Sequence, residues 1–128
     1  MKSGILITGG KKGTSESLSA VEIFIPDLNR SCSLQPMNHH KYLHSQNGFL
    51  SCGGFETPRL CEFYTPGGGW AEEHYKLTQE RWGHTSWTLN NGSVLLLGGL
   101  GQSAQTTTDL VRPGLDTQPG FNLKYPSL

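Results

Sequence analysis

Long apolar runs are missing from this 128-residue sequence. None approaches the ~20 residues with which a single helix crosses a bilayer, so no such membrane span is expected. The N-terminal stretch MKSGILIT holds only three consecutive apolar residues, Ile5 to Ile7. A secretory leader needs roughly 7–15. The expectation is a chain that stays where it is made, or one whose natural start is not Met1. An excess of one charge is missing too. Lys plus Arg and Asp plus Glu number ten each, for a formal net charge of zero. Nucleic acid and anionic membrane both call for a basic surface, so neither is expected as a partner. Lys11-Lys12 is too short to count as a basic block.

Metal and catalytic patterns are also lacking. The three cysteines, Cys32, Cys52 and Cys61, form no C-x-x-C and no zinc-type cluster with histidine. Their odd number allows one disulfide with a free thiol, or three thiols. His39, His40 and His44 lie close together, and His74 and His84 stand apart. No element carries a trio of ligands, so no metal is expected. Glu72-Glu73 and Glu80 read as solvated edges. Ser15, Ser17 and Ser19 read as loop serines, with no G-x-S-x-G around them. Gly9 to Thr14 lacks phosphate-loop spacing. The expectation is a non-enzyme with no catalytic residue and no cofactor.

What is abundant is glycine, 17 residues, with seven prolines among short apolar runs. Three apolar runs each end in a glycine pair: Ile5 to Thr8 before Gly9-Gly10, Phe49 to Cys52 before Gly53-Gly54, and Val94 to Leu97 before Gly98-Gly99. The pairs lie 44 and 45 residues apart. After each comes a polar loop and a second apolar stretch closing on Pro26, Pro66 or Pro113. His44 and His84 each stand 18 residues beyond such a proline, and Lys41-Tyr42-Leu43-His44 aligns with Arg81-Trp82-Gly83-His84. Internal repetition takes precedence over isolated motifs. Gly99, Gly101 and Ala104 do spell a dinucleotide-type G-x-G-x-x-A. That site needs a helix directly after the glycines, whereas Gln105 is followed by three threonines.

This repeat resembles the kelch repeat. Val21 to Pro26 and Cys61 to Pro66 look like the family's third strand, and Trp70 like the tryptophan opening its fourth. Cys32 stands near that position in the earlier copy, a departure. The resemblance implies an all-β fold: a partial kelch-type β-propeller of about two and a half four-stranded antiparallel blades. Its expected divisions are an incomplete first blade over 1–36, a second over 37–80 and a third over 81–128, with a last strand within Gly120 to Tyr125. Glycines suit crowded backbones near a propeller axis. Asn47-Gly48 and Asn91-Gly92 suit two-residue hairpin turns. His44 and His84 are expected to hydrogen-bond within their own blades. An open stack leaves two wet end faces, so missing blades or a homo-oligomer are expected to complete it.

Cys52 and Cys61 fall on neighbouring strands, close enough for a disulfide, with two buried thiols as the alternative. The stretch His44 to Gly54 with Cys61 is similar to an invertebrate kelch-like group reading H-T-Q-x-G-x-x-x-C-G-G…C. Disulfides belong to oxidising compartments. With the sequons at Asn29 and Asn91, the resemblance implies a secreted glycoprotein that binds a protein or glycan partner. The alternatives are the substrate-recognition segment of an intracellular ubiquitin-ligase adaptor, and a fragment similar to galactose oxidase. Recognition is expected on loops, with Lys11, Lys12, Glu16, Tyr42, Glu56, Arg59, Arg81 and Trp82 as contact residues.

Overall fold

The computed structural model describes residues 4–14 and 16–125. The fold is all-β. No α-helix occurs among the described residues, and the strands form four antiparallel sheets. Strand β1 (Ile5–Thr8) leads into a short hairpin of β2 (Lys11–Lys12) and β3 (Glu16–Ser17). Then come β4 (Val21–Ile25), a 3-10 turn at Pro26–Leu28, and β5 (Arg30–Leu34). The second sheet runs β6 (Ser45–Asn47), β7 (Leu50–Cys52), β8 (Cys61–Thr65) and β9 (Gly69–Glu72). The third runs β10 (Thr85–Thr88), β11 (Val94–Leu97), β12 (Thr108–Arg112) and β13 (Asp116–Pro119). The second and third sheets are four-stranded meanders in chain order, and the first is three-stranded, β1-β4-β5.

The strand count is therefore fuller than two and a half units, and several details depart from expectation. The third sheet ends with β13, because a tight turn after Arg112 pairs it with Asp116; residues 120–125 form no strand. Asn47 is still in strand, opposite Leu50, so the first hairpin turn is Gly48-Phe49, with Gly48 at φ 58°. The second is a wider loop between Thr88 and Val94, closed by the Leu89 N–H to the Ser93 carbonyl at 2.8 Å. The stretch read as a loop after Gly10 contains the β2–β3 hairpin, whose Ser15 lies outside the described residues. Trp70 pairs with Tyr64 and Ser31 pairs with Phe24. Ser31, not Cys32, thus occupies the tryptophan's place in the first sheet. Cys32 is an exposed free thiol.

The core lies between sheets rather than within any one. Val21, Met37 and Trp70 are buried together at the first junction, with Leu6, Leu34 and Tyr64 packed on them. Leu50, Cys52, Cys61, Leu77, Val94, Leu96 and Val111 fill the second. Each fully buried aliphatic side chain here is worth roughly 1.5–3 kcal/mol. Strand pairing puts Cys52 directly opposite Cys61, Cα to Cα 4.1 Å, and the two are joined by a disulfide.

The bond closes a short loop, so chain entropy in the unfolded state sets its effect, about 2–3 kcal/mol. The Cys52→Ala/Cys61→Ala variant is expected to unfold that much more readily in urea, with its circular-dichroism strand signal intact. An unchanged urea midpoint would show that the bond contributes nothing.

Candidate functional site

Each sheet meets the next through its glycine pair. The Gly10 N–H donates to the Lys41 carbonyl at 2.8 Å, and the Gly54 N–H to the Arg81 carbonyl at 3.0 Å. Gly53 has φ 71°, and a Cβ built there would stand 2.6 Å from the Arg81 carbonyl oxygen and 2.6 Å from the His84 ring. Only glycine allows both the left-handed backbone and this approach.

The segments entering the second and third sheets carry buried cations. Arg81 is fully buried. Its guanidinium donates to Asp109 Oδ2 (2.9 Å), the Gly98 carbonyl (2.9 Å), the Thr107 carbonyl (2.9 Å) and Thr107 Oγ1 (2.8 Å). Its expected role as a surface contact is thereby corrected: five donors in a fixed fork suit it to satisfying strand-end carbonyls inside the protein. Lys41 holds the same place one repeat earlier. Also fully buried, it donates from Nζ to the Leu60 carbonyl at 3.0 Å and the Gly53 carbonyl at 3.5 Å. Burial pulls its pKa down to about 8, against the opposing pull of Glu62. The matching carboxylates are buried as well. Glu62 accepts the backbone N–H groups of Asn38 (2.7 Å) and His39 (3.1 Å), and Asp109 accepts that of Thr78 (2.9 Å).

The two repeat histidines act across junctions, not within one sheet. His44 Nε2 meets Thr8 Oγ1 of β1 at 2.9 Å, and His84 Nε2 meets Ser45 Oγ of β6 at 2.8 Å. The adjoining strand, not their own, offers the hydroxyl. In both rings Nδ1 is buried without a partner. Burial, reinforced by Lys41 beside His44 and by Arg81 beside His84, lowers each pKa to about 4.

The remaining predicted residues gather where post-glycine loops meet the inter-sheet linkers. The Phe55 N–H donates to the Tyr42 carbonyl at 3.0 Å, and Leu100 and Trp82 exchange backbone hydrogen bonds at 2.8 and 2.9 Å. An aromatic row results. Lys11 Nζ stands 4.7 Å over the Tyr42 ring, Tyr42 lies 5.5 Å from Phe55, and Phe55 meets Trp82 edge-on at 5.3 Å. Phe55 is 50% exposed. Glu56 accepts the Ser17 hydroxyl. Arg59, beside this row, donates from Nε to the Leu77 carbonyl at 2.8 Å and borders a polar recess with Thr78, Gln79, Glu80, Gln102 and Gln105. Lys12 and Glu16 are exposed on the β2–β3 hairpin. Both sequon asparagines are exposed: Asn29 at φ 48° after the 3-10 turn, and Asn91 in the β10–β11 loop. Among unpredicted residues, Phe55 is the link that makes the row continuous, and Lys41, Glu62 and Asp109 build the junctions.

No protein-family model matches the chain, and no curated protein matches it.

The buried groups give stability a defined pH profile. Each histidine binds its proton at about pH 6.5 when unfolded and at about 4 when folded. Between those values the unfolded chain holds more protons, so stability falls as pH falls through the window. At 1.36 kcal/mol per pKa unit, each histidine accounts for about 3 kcal/mol. Lys41 acts at the other end: stability rises from pH 8 towards 10.5, where the unfolded lysine still holds its proton. Denaturation midpoints across pH 4–10 test both limbs, and the acid limb should halve in His84→Gln. Asp109→Ala strands a buried guanidinium and should cost about 3–5 kcal/mol, with Asp109→Asn milder.

Proposed function

We propose that the chain is a segment of a kelch-type propeller acting as a non-enzymatic scaffold that binds a protein or glycan partner. The observation that carries this reading is the row Lys11–Tyr42–Phe55–Trp82. It crosses both sheet junctions on the β2–β3 hairpin, loops and linkers, while the strands beneath are held by the buried Arg81–Asp109 ion pair, the buried Lys41 and apolar packing. Rigid sheets presenting loop side chains are a common plan for recognition. Aromatic residues with a half-exposed face give large contact area at low entropic cost and dominate binding energy. Both macromolecular surfaces and the C–H faces of sugar rings suit them.

The Cys52–Cys61 disulfide favours an extracellular setting over an intracellular adaptor, because reducing compartments keep such pairs as thiols. It also weighs against the oxidase alternative. A radical oxidase of that kind links a tyrosine to a free cysteine, and the remaining thiol, Cys32, is exposed on β5, away from the loop row.

The full chain, secreted from a eukaryotic host, tests the reading when probed on a glycan array and a panel of extracellular proteins. Phe55→Ala and Trp82→Ala are expected to weaken the bound partner by about 30-fold, the scale of a hot-spot residue losing about 2 kcal/mol. Asp27→Asn, exposed on the 3-10 turn of the first sheet, serves as the neutral control. A partner indifferent to every residue of the row, or stoichiometric copper with oxidase turnover, would overturn the proposal.

A further inference from the structure

The second and third sheets each have one face closed by the segment that precedes them. Ser51 and Glu62 pair across that face in the second sheet, Leu96 and Asp109 in the third, and all four are fully buried. The closing segment does three things there. It hands backbone N–H groups to the carboxylate, at 2.7 and 3.1 Å for Glu62 and 2.9 Å for Asp109. It sends a cation to two strand-end carbonyls, Gly53 and Leu60 or Gly98 and Thr107. It continues into a strand, β6 or β10, that pairs with β7 or β11. A Cβ on the second glycine of each pair would stand 3.0 Å from the Tyr42 carbonyl or 2.7 Å from that of Trp82.

The first sheet has the same receiving groups, and among the described residues no preceding segment fills them; Glu22 accepts only the Ser31 hydroxyl of β5, at 3.3 Å. Ile7 and Glu22 pair at the equivalent register, Ile7 is 48% exposed, and Glu22 is exposed. The Gly9 and Ala20 carbonyls stand where the buried cations find their acceptors in the later sheets. A Cβ on Gly10 would have no neighbour within 4 Å. Among the described residues, β1 pairs on one edge only, with β4.

From this threefold match we infer that the open face of the first sheet is a receptor for an extended protein segment that the described residues do not supply. The segment it fits carries a lysine or arginine, then an aromatic residue, then histidine two positions after the aromatic, and leads into a strand. This is the chemistry of the protein's own closing segments, Lys41-Tyr42-Leu43-His44 and Arg81-Trp82-Gly83-His84. The incoming backbone N–H groups bond to Glu22. The cation bonds to the Gly9 and Ala20 carbonyls. The strand augments β1, main chain giving affinity and side chains giving selectivity. The inference goes beyond the loop-face reading and does not depend on it.

The probe is a fluorescent peptide with the sequence of residues 37–47, added to the full chain, with a scrambled peptide as control. Saturable binding is expected, with slowed amide exchange over Ile5–Thr8. Glu22→Ala in the protein, or methionine for the lysine within the peptide, should each weaken it at least tenfold. Gln118→Ala, exposed on β13 of the third sheet, should leave it unchanged. The peptide variant keeps the test valid whatever Glu22→Ala does to folding. Equal binding of the scrambled peptide, or indifference to both substitutions, would overturn the inference. So would a concentration-dependent dimer in which Ile5–Thr8 is already protected and the peptide cannot compete, since a second copy would then own this face.

Discussion

The junctions depend on a buried cation satisfying carbonyls that the sheet itself cannot. When β7 and β11 end at their glycine pairs, the backbone turns sharply and leaves carbonyls inside the protein. A buried carbonyl without a donor is costly. Lys41 and Arg81 reach in from the segment that precedes each sheet and supply the donors. A buried cation needs its own compensation, which Asp109 provides by direct contact and Glu62 by proximity. The carboxylates then draw in backbone N–H groups of the same entering segment. Turn, cation, carboxylate and linker are thus one coupled arrangement, and the apolar junction packs around it. Glycine follows from this coupling, because a side chain at Gly53 would push away the segment that carries the cation.

The repeat, the strand order and the disulfide partners were legible in the amino-acid sequence because each has a local signature. Apolar runs ending in glycine pairs give β1, β7 and β11, and proline marks the ends of the strands that follow. Long-range polar burial was not legible. Arg81 beside Trp82 reads as a surface pair, since isolated arginine and tryptophan in a polar stretch normally are one. Its burial becomes visible only when two alignments are joined. Lys41 falls opposite Arg81 in the repeat, and Glu22, Glu62 and Asp109 fall opposite one another. A cation and an anion recurring at fixed places in a near-neutral chain are the trace of a conserved pair of roles within the molecule. The hairpin turns were misplaced by a residue or more because Asn-Gly is tolerated both as a turn and as a strand end. The fourth-strand tryptophan misled in the first sheet because Ser31, at the equivalent place, has no chemistry to announce it.

The same architecture separates the groups that hold the sheets from the side chains that its loops and linkers present. The groups that hold the sheets together point into the junctions, and burial lowers the pKa values of Lys41, His44 and His84 among them. The row of rings lies outside, where linkers and post-glycine loops are tied together by backbone hydrogen bonds. Those bonds use main-chain atoms alone. Side chains at 42, 55 and 82 are therefore free to vary without disturbing the junction below, which is the condition for a surface adaptable to different partners.

The two junctions are built to different strengths. At the second, arginine makes a direct contact with Asp109 and four hydrogen bonds in all, and a disulfide lies in the apolar layer. At the first, a single lysine nitrogen spans two carbonyls, one of them at 3.5 Å, and no disulfide reinforces the packing. An ammonium keeps its charge less readily than a guanidinium when buried, so the first junction also carries the larger electrostatic burden. Local opening is therefore expected to start there and to leave the second and third sheets joined. The first sheet is joined through the lysine junction, and among the described residues its outer face is open. A segment docking on that face would brace the sheet from the other side, so occupancy of Glu22 and cohesion of the Lys41 junction are coupled through the same three strands.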